Sequence, residues 1–424
     1  MGEVVVPLTP DRYASRMVWG SASSVLRRAR CRRWAAMAVA LAASAAASPT
    51  TAQAGGREVN AFAVTPRVSV VHDSNVFQLN ADRFAGDRSD TVVSPAVGVS
   101  FDRTIGRNNL SLDADIAYDF HHRYRSLDQV NLSATGSGSL AVSAYCAVSP
   151  TGSLTVQQNN QSGTAALRNA QTAQNYAATI ACRRPFGLFP SVSASYRSTT
   201  NSQDLLSLFD QHTTALSGGV GYAVPTIGSV LLSIGTTRIR QPNRAAGAVE
   251  NGSDVFNAGL SFDRAVAPRL SYSLAARYLS VHPLQATTPG YDGAGYNVAV
   301  NYHPSPRVTL VASAGRDATG TGDVAVSYVL ASSYGLSGVV TLSPLTSFSL
   351  SAQHYNRTFR GENPLFFPVL RGSERGEALS GNVSHTVAQR VQLSLFATYS
   401  RLDARSDFYD YTRLQVGLSA GARF

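Results

Sequence analysis

Asp113, Asp115 and Asp119 recur at odd positions of one short segment, and carboxylates held side by side can pass protons to and from a substrate. Other segments place Arg277, Asn297, Asn301, Gln353, Tyr355 and Gln392 at similarly alternating positions. Acid–base or hydrolytic chemistry would need a partner group for these side chains. The histidines do not supply one: His121 and His122 are adjacent at the end of a segment, His354 and His385 stand alone, and none has the spacing of a metal site. The sequence has no phosphate-binding Gly-Lys-Ser/Thr loop and no His-Glu-x-x-His pair. Spaced carboxylates and arginines without such partners read as a wetted wall, so no catalytic residue, metal or cofactor is expected.

The elements that carry these residues are short and alternate with period two. Leu110, Leu112, Ala114, Ile116, Tyr118 and Phe120 interleave with Ser111, Asp113, Asp115, Ala117 and Asp119. Leu270 to Tyr278 and Val391 to Tyr399 repeat the pattern, which is that of strands with one apolar and one polar face. Eighteen such segments run from 64–71 to 411–424, among them 129–146, 152–159 and 173–182. A β-sandwich also alternates, but it fills a dry core with large apolar residues. Here the polar face carries Asp, Arg, Asn and Gln, as a water-filled lumen requires.

Connectors alternate in length. Short ones at 104–107, 223–228, 264–268, 303–306, 344–346 and 386–389 are interleaved with longer ones at 73–90, 160–172, 200–211, 239–253, 282–291 and 359–376. The pattern predicts an all-β fold: one transmembrane antiparallel β-barrel of about eighteen strands, with short periplasmic turns and longer extracellular loops. Closure is a physical necessity, because open strand edges have no hydrogen-bond partners in lipid. Tyr118, Phe120, Tyr222, Phe262, Tyr302 and Tyr399 lie near strand ends, where interfacial belts form.

Residues 1–54 read as an export leader. Arg27, Arg28, Arg30, Arg32 and Arg33 precede the apolar run Trp34–Ala47, and Ala52-Gln53-Ala54 is a small-x-small cleavage site. Met17 is an alternative start, and residues 55–424 form the barrel. The formal charge of +10 overstates the mature chain: residues 1–54 hold seven of the 36 basic and two of the 26 acidic residues, leaving 29 minus 24, or +5. Every basic residue is arginine, scattered among acids, which makes no stripe for nucleic acid. Cys146 and Cys182 would meet an oxidising periplasm. In this register, however, they sit on the outward faces of the fourth and sixth strands, roughly 9 to 10 Å apart across an intervening strand, beyond the usual reach of a disulfide. Their pairing stays open.

Two resemblances add to this reading. The last stretch, Leu414 to Phe424, alternates and ends on an aromatic residue. It is similar to the final strand of Gram-negative outer-membrane barrels, in which the terminal Phe is read by the barrel assembly machinery and the strand pairs with the first. Phe424 is therefore expected to be part of an insertion signal. The run Val68 to Phe77, with Asp73, Asn75 and Phe77, then Asp90 to Phe101 with its Ser94-Pro95, then Arg123 to Asp128, resembles the porin-like outer-membrane β-barrel family of exopolysaccharide biosynthesis operons. The resemblance is clearest over 64–130. It implies an exported protein of the cell outer membrane that is not an enzyme, surrounded by outer-membrane lipid and serving polysaccharide export with periplasmic polysaccharide-export components. Asp73 and Asn75 also suit turn capping, and Phe77 suits plugging a loop onto the barrel mouth.

The expectation is thus a conduit for a polysaccharide, its lumen lined by Asp113, Asp115, Asp119, Arg277, Asn297, Asn301, Gln353, Tyr355 and Gln392. A general or substrate-selective uptake porin is the alternative. A rim-located enzyme acting on lipid or polymer is a third option.

Overall fold

The computed structural model describes residues 60–82, 86–158, 169–182, 186–246, 249–320, 326–362, 370–387 and 390–424. The export leader and its cleavage site lie outside these residues. Eighteen strands follow one another in chain order: β1 (Asn60–Asp73), β2 (Asp90–Ile105), β3 (Asn108–His121), β4 (Gln129–Ala141), β5 (Cys146–Gln158), β6 (Ala170–Cys182), β7 (Gly187–Asn201), β8 (Gln211–Val224) and β9 (Gly228–Ala246). The second half comprises β10 (Val249–Ala267), β11 (Leu270–Pro283), β12 (Tyr291–Ser305), β13 (Val308–Thr319), β14 (Tyr328–Ser343), β15 (Thr346–Arg360), β16 (Ser373–Val387), β17 (Val391–Ala404) and β18 (Tyr411–Ala422).

Each strand pairs antiparallel with its chain neighbours, and β1 pairs with β18, from Arg67 opposite Gly421 to Asp73 opposite Gln415. The protein is a closed eighteen-stranded antiparallel barrel. Phe424 extends the seam beyond the last strand: its N–H donates to Val64 O at 3.0 Å and its carbonyl accepts from Val64 N at 3.1 Å.

Both faces follow from the period of two. Val68 and Val70, Leu110 and Leu112, Leu216 and Val220, and Leu393 and Leu395 are exposed on the outer face, where lipid would cover them. One belt of rings near the termini joins Phe186 to Tyr222 and Phe262 to Tyr272, both pairs at 5.8 Å between centroids. Tyr118 and Phe120, 4.5 Å apart, and Tyr399 belong to the opposite end.

Tight turns on the terminus side alternate with longer loops at the other end. Gly106, at φ 61°, makes the two-residue β2–β3 turn possible, because a side chain is strained in that left-handed conformation. Three external loops contain a single 3-10 turn, Arg125–Leu127, Leu206–Phe209 and Asp407–Tyr409. Each is followed by an aspartate whose carboxylate accepts an N–H from the end of the preceding strand: Asp128 from His121, Asp210 from Asn201 and Asp410 from Ala404, at 2.7 to 2.8 Å.

The structure corrects the sequence reading in two places. The expected strand 129–146 ends at Ala141, and the segment read as a connector around Pro150 belongs to β5. Pro150 lacks an N–H for the ladder, yet the strand runs through it, with Pro150 beside Gly138 of β4 and opposite Ala178 of β6. Cys146 therefore lies on β5, directly opposite Cys182 on β6, and the two form a disulfide with a Cα–Cα distance of 3.8 Å. The expected loop 239–253 is instead a β-hairpin, because β9 continues to Ala246 and β10 resumes at Val249.

Candidate functional site: the lumen and its outer mouth

Register places every sequence-predicted lumen residue on the face opposite the exposed aliphatic band. Asp113, Asp115 and Asp119 face inward from β3, opposite Thr135, Ser133 and Gln129 of β4. Arg277 of β11 faces Gly295 of β12, and Asn297 and Asn301 continue that face. Gln353 and Tyr355 lie on β15 opposite Ala378 and Gly376, and Gln392 lies on β17 opposite Gly421. They do not converge on one point. They are distributed around the wall, with Arg277, Asn297 and Asn301 grouped on two neighbouring strands.

Hydroxyls dominate the surface between them. Ser191, Ser193 and Ser195 line β7, and Ser347, Ser349 and Ser351 line β15. Some bond across the ladder, as Ser193 with Ser217 at 2.6 Å and Ser347 with Ser384 at 2.7 Å. Most charges are paired. Arg67 meets Asp115, Arg277 reaches Asp317 at 3.3 Å, and Arg357 reaches Glu374 at 3.1 Å. The Arg357 guanidinium lies 4.5 Å from the centre of the Tyr355 ring, which holds that side chain flat against the wall.

The first-loop residues serve the seam. Asp73 is 2 % exposed and accepts from Arg413 Nε at 2.9 Å, Gln415 Nε2 at 3.0 Å and Asn75 N at 2.9 Å. Asn75 donates to the carbonyls of Leu79 and Thr412 and accepts from Leu79 N, so it shapes its own loop and ties it to β18. Phe77 packs edge-on against Tyr124, 4.5 Å between centroids, holding the β1–β2 loop against the β3–β4 loop. In the same loop the Asp87 carboxyl is held well below the usual carboxylate range by the Ser89 hydroxyl and N–H and by Arg123. The His121 ring sits 3.2 Å from Asp90, as a side chain of the rim.

Sequence reasoning missed the outer mouth. The described residues that flank the β13–β14 connection, Gly320, Val326 and Ser327, lie against β8, β9 and β10. Gly320 lies close against the side chains of Gln211 of β8 and Ile239 of β9. Val326 O accepts from Gln241 Nε2, Ser327 O accepts from Ser253 Oγ at 3.2 Å, and Ser327 Oγ donates to Asn251 Oδ1 at 3.0 Å. Arg244 of the β9–β10 hairpin donates to Gly361 O of the β15–β16 loop at 3.1 Å. Thr288 of the β11–β12 loop meets Ser327 Oγ at 3.5 Å. Beneath this polar layer Ile239, Val255, Leu279, Val281 and Tyr328 form an apolar cluster on the inner face. Four external connections thus meet in a buried knot over one side of the lumen. Burial pushes the Arg244 guanidinium down to about 10, with Glu362 opposing the shift. The one legible signal was that Thr237, Ile239 and Gln241 continue the alternation of β9 into a segment whose Pro242 and Asn243 read as a loop.

Residues 49–220, which run from before β1 into β8, match the family model described as "Putative beta-barrel porin 2". Over that part the chain is similar to porin-like β-barrels. No curated protein matches it. Solved structures similar to it include OccK1 (OpdK) of Pseudomonas aeruginosa, at 12 % identity and TM-score 0.43 over 86 % of this chain and 99 % of that one. OccK2 (OpdF) of the same organism, in complex with glucuronate, gives 10 % identity and 0.44 over 86 % and 98 %. Acinetobacter baumannii OccAB3 gives 9 % identity and 0.43 over 86 % and 98 %. The barrel itself rests on the closed strand ladder, and the likeness to porins on the match over 49–220.

Proposed function

We propose that the barrel is a selective passage for small hydroxyl-rich solutes such as sugars, which it admits across the outer membrane. The observation that carries this reading is the knotted outer mouth: Gln241, Asn251 and Ser253 on the inner face of β9 and β10 are tied by buried hydrogen bonds to Val326 and Ser327 just before β14. Such a mouth sieves by size. Below it, serine, threonine, asparagine and glutamine offer many weak hydrogen bonds and no deep well, as a wall must if solutes are to enter and leave. Tyr355, Asn297, Asn301, Gln353 and Gln392 act in this reading as steps along that wall.

A polysaccharide conduit is the second reading, supported by the resemblance over 64–130 and by the same hydroxyl-rich lining. It requires the mouth knot to move aside and periplasmic export components to feed the polymer in. Swelling of liposomes carrying the purified barrel separates the two. The expected result is rapid swelling with mono- and disaccharides and a steep fall with longer oligosaccharides. Equal rates for long oligosaccharides, together with loss of surface glycan and periplasmic accumulation in a deletion strain, would replace the first reading with the second.

A further inference from the structure

We infer that the lumen prefers cations, although the chain as a whole carries a formal charge of +10. The inference rests on the passage reading, since it concerns ions that share the path. It comes from pairing the charges on the inner face. Arg67, Arg277, Arg357 and Arg413 each face a carboxylate, namely Asp115, Asp317, Glu374 and Asp73. Among the described residues, Arg197 on β7 and Arg423, which continues the inner face just beyond β18, are the lumen-facing arginines left without one.

The acids left over outnumber these two. Asp102 on β2 and Asp113 on β3 are diagonal neighbours on the inner face, both exposed and neither with a cationic partner among the described residues. Asp263 on β10 is likewise exposed and stands on a distant part of the wall, so the negative charge is spread around the barrel. Asp119 is held only by neutral donors, Ser94 Oγ at 2.6 Å and Asn131 Nδ2 at 2.7 Å. Asp102 and Asp263 lie near the ends of β2 and β10 on the terminus side, which puts the uncompensated charge at the inner half of the path. Much of the remaining positive charge lies off the lumen wall. Arg107, Arg269 and Arg307 are on the tight turns, while Arg103 and Arg264 point to the outer face.

Low-dielectric walls focus the field of such groups along the lumen, and rings of Asp or Glu are how channels favour cations. With a screening length of about 10 Å at 0.1 M salt and about 3 Å at 1 M, these carboxylates act together in dilute salt and separately in concentrated salt.

The test is the zero-current potential of the purified full barrel in a planar bilayer across a KCl gradient. Several-fold preference for potassium in dilute salt, shrinking in concentrated salt, is expected. Asp102→Asn with Asp263→Asn should move the preference toward unity, and Arg197→Gln should increase it. Chloride preference, or an Asp102→Asn/Asp263→Asn barrel as cation-selective as the parent, overturns the inference alone. A folded barrel that conducts no ions overturns it together with the passage reading.

Discussion

At the residue scale, carboxylates act here mostly as acceptors that hold the external loops in shape. Asp210 is the clearest: it takes Asn201 N at 2.8 Å, Asn201 Nδ2 at 3.0 Å and Asn243 Nδ2 at 3.0 Å, binding the β7–β8 loop to the β9–β10 hairpin. Asp210→Ala leaves three donors without this acceptor and should cost ~1–3 kcal/mol of local stability. Amide hydrogen exchange at Asn201 would show it as faster exchange, and unchanged protection would remove the capping role. Asp87 makes a pH statement. Its folded pKa is depressed, so its contribution is present at neutral pH and is lost only as pH falls through the depressed value. Lowering pH from 7 to about 4.5, still above the ordinary carboxylate pKa, should therefore leave the Ser89 amide protected. Loss of protection at that pH would mean that another group titrates there.

At the element scale, the disulfide and the β9–β10 hairpin decide most. Cys146 and Cys182 are separated by 36 residues in sequence, and removing a cross-link over a loop of that size costs ~3–4 kcal/mol in the chain-entropy account. Cys146→Ser with Cys182→Ser should lower the unfolding midpoint in detergent without changing the strand content seen by circular dichroism. An unchanged midpoint would show that the ladder alone sets stability there. The hairpin is held across the mouth by Gln241 and Arg244. Gln241→Ala with Arg244→Ala should raise single-channel conductance by freeing lumen cross-section. Conductance equal to that of the parent barrel would deny the knot its place in the path.

At the scale of the whole molecule, closure between β1 and β18 makes the barrel one cooperative object. Unheated protein in detergent should run faster on a gel than boiled protein and give a β-type spectrum. Phe424 is 71 % exposed at the end of the seam, where its ring would meet the inner interface. Phe424→Ala should reduce outer-membrane abundance well below that of an exposed loop change such as Thr287→Ala. Equal abundance of the two would separate the terminal ring from assembly.

The sequence by itself determined the class of fold, the number of strands and which residues face the lumen, because one buried or lipid-covered face per strand forces a period of two that can be read residue by residue. The inward positions of Asp113, Arg277, Asn297 and Gln353 follow from that alternation alone. Tertiary structure decided what alternation cannot encode. Which strand carries Cys146 is decided by the ladder of β5 with β6, which runs through Pro150 opposite Ala178 and sets Cys146 opposite Cys182. Which arginines are neutralised depends on pairs such as Arg67 with Asp115 and Arg413 with Asp73, the latter formed only when the two ends of the barrel meet. The outer mouth is the extreme case. Gln241, Asn251, Ser253, Thr288 and Ser327 carry no local signature, and they become a buried site only because four connections fold onto the same side of the lumen.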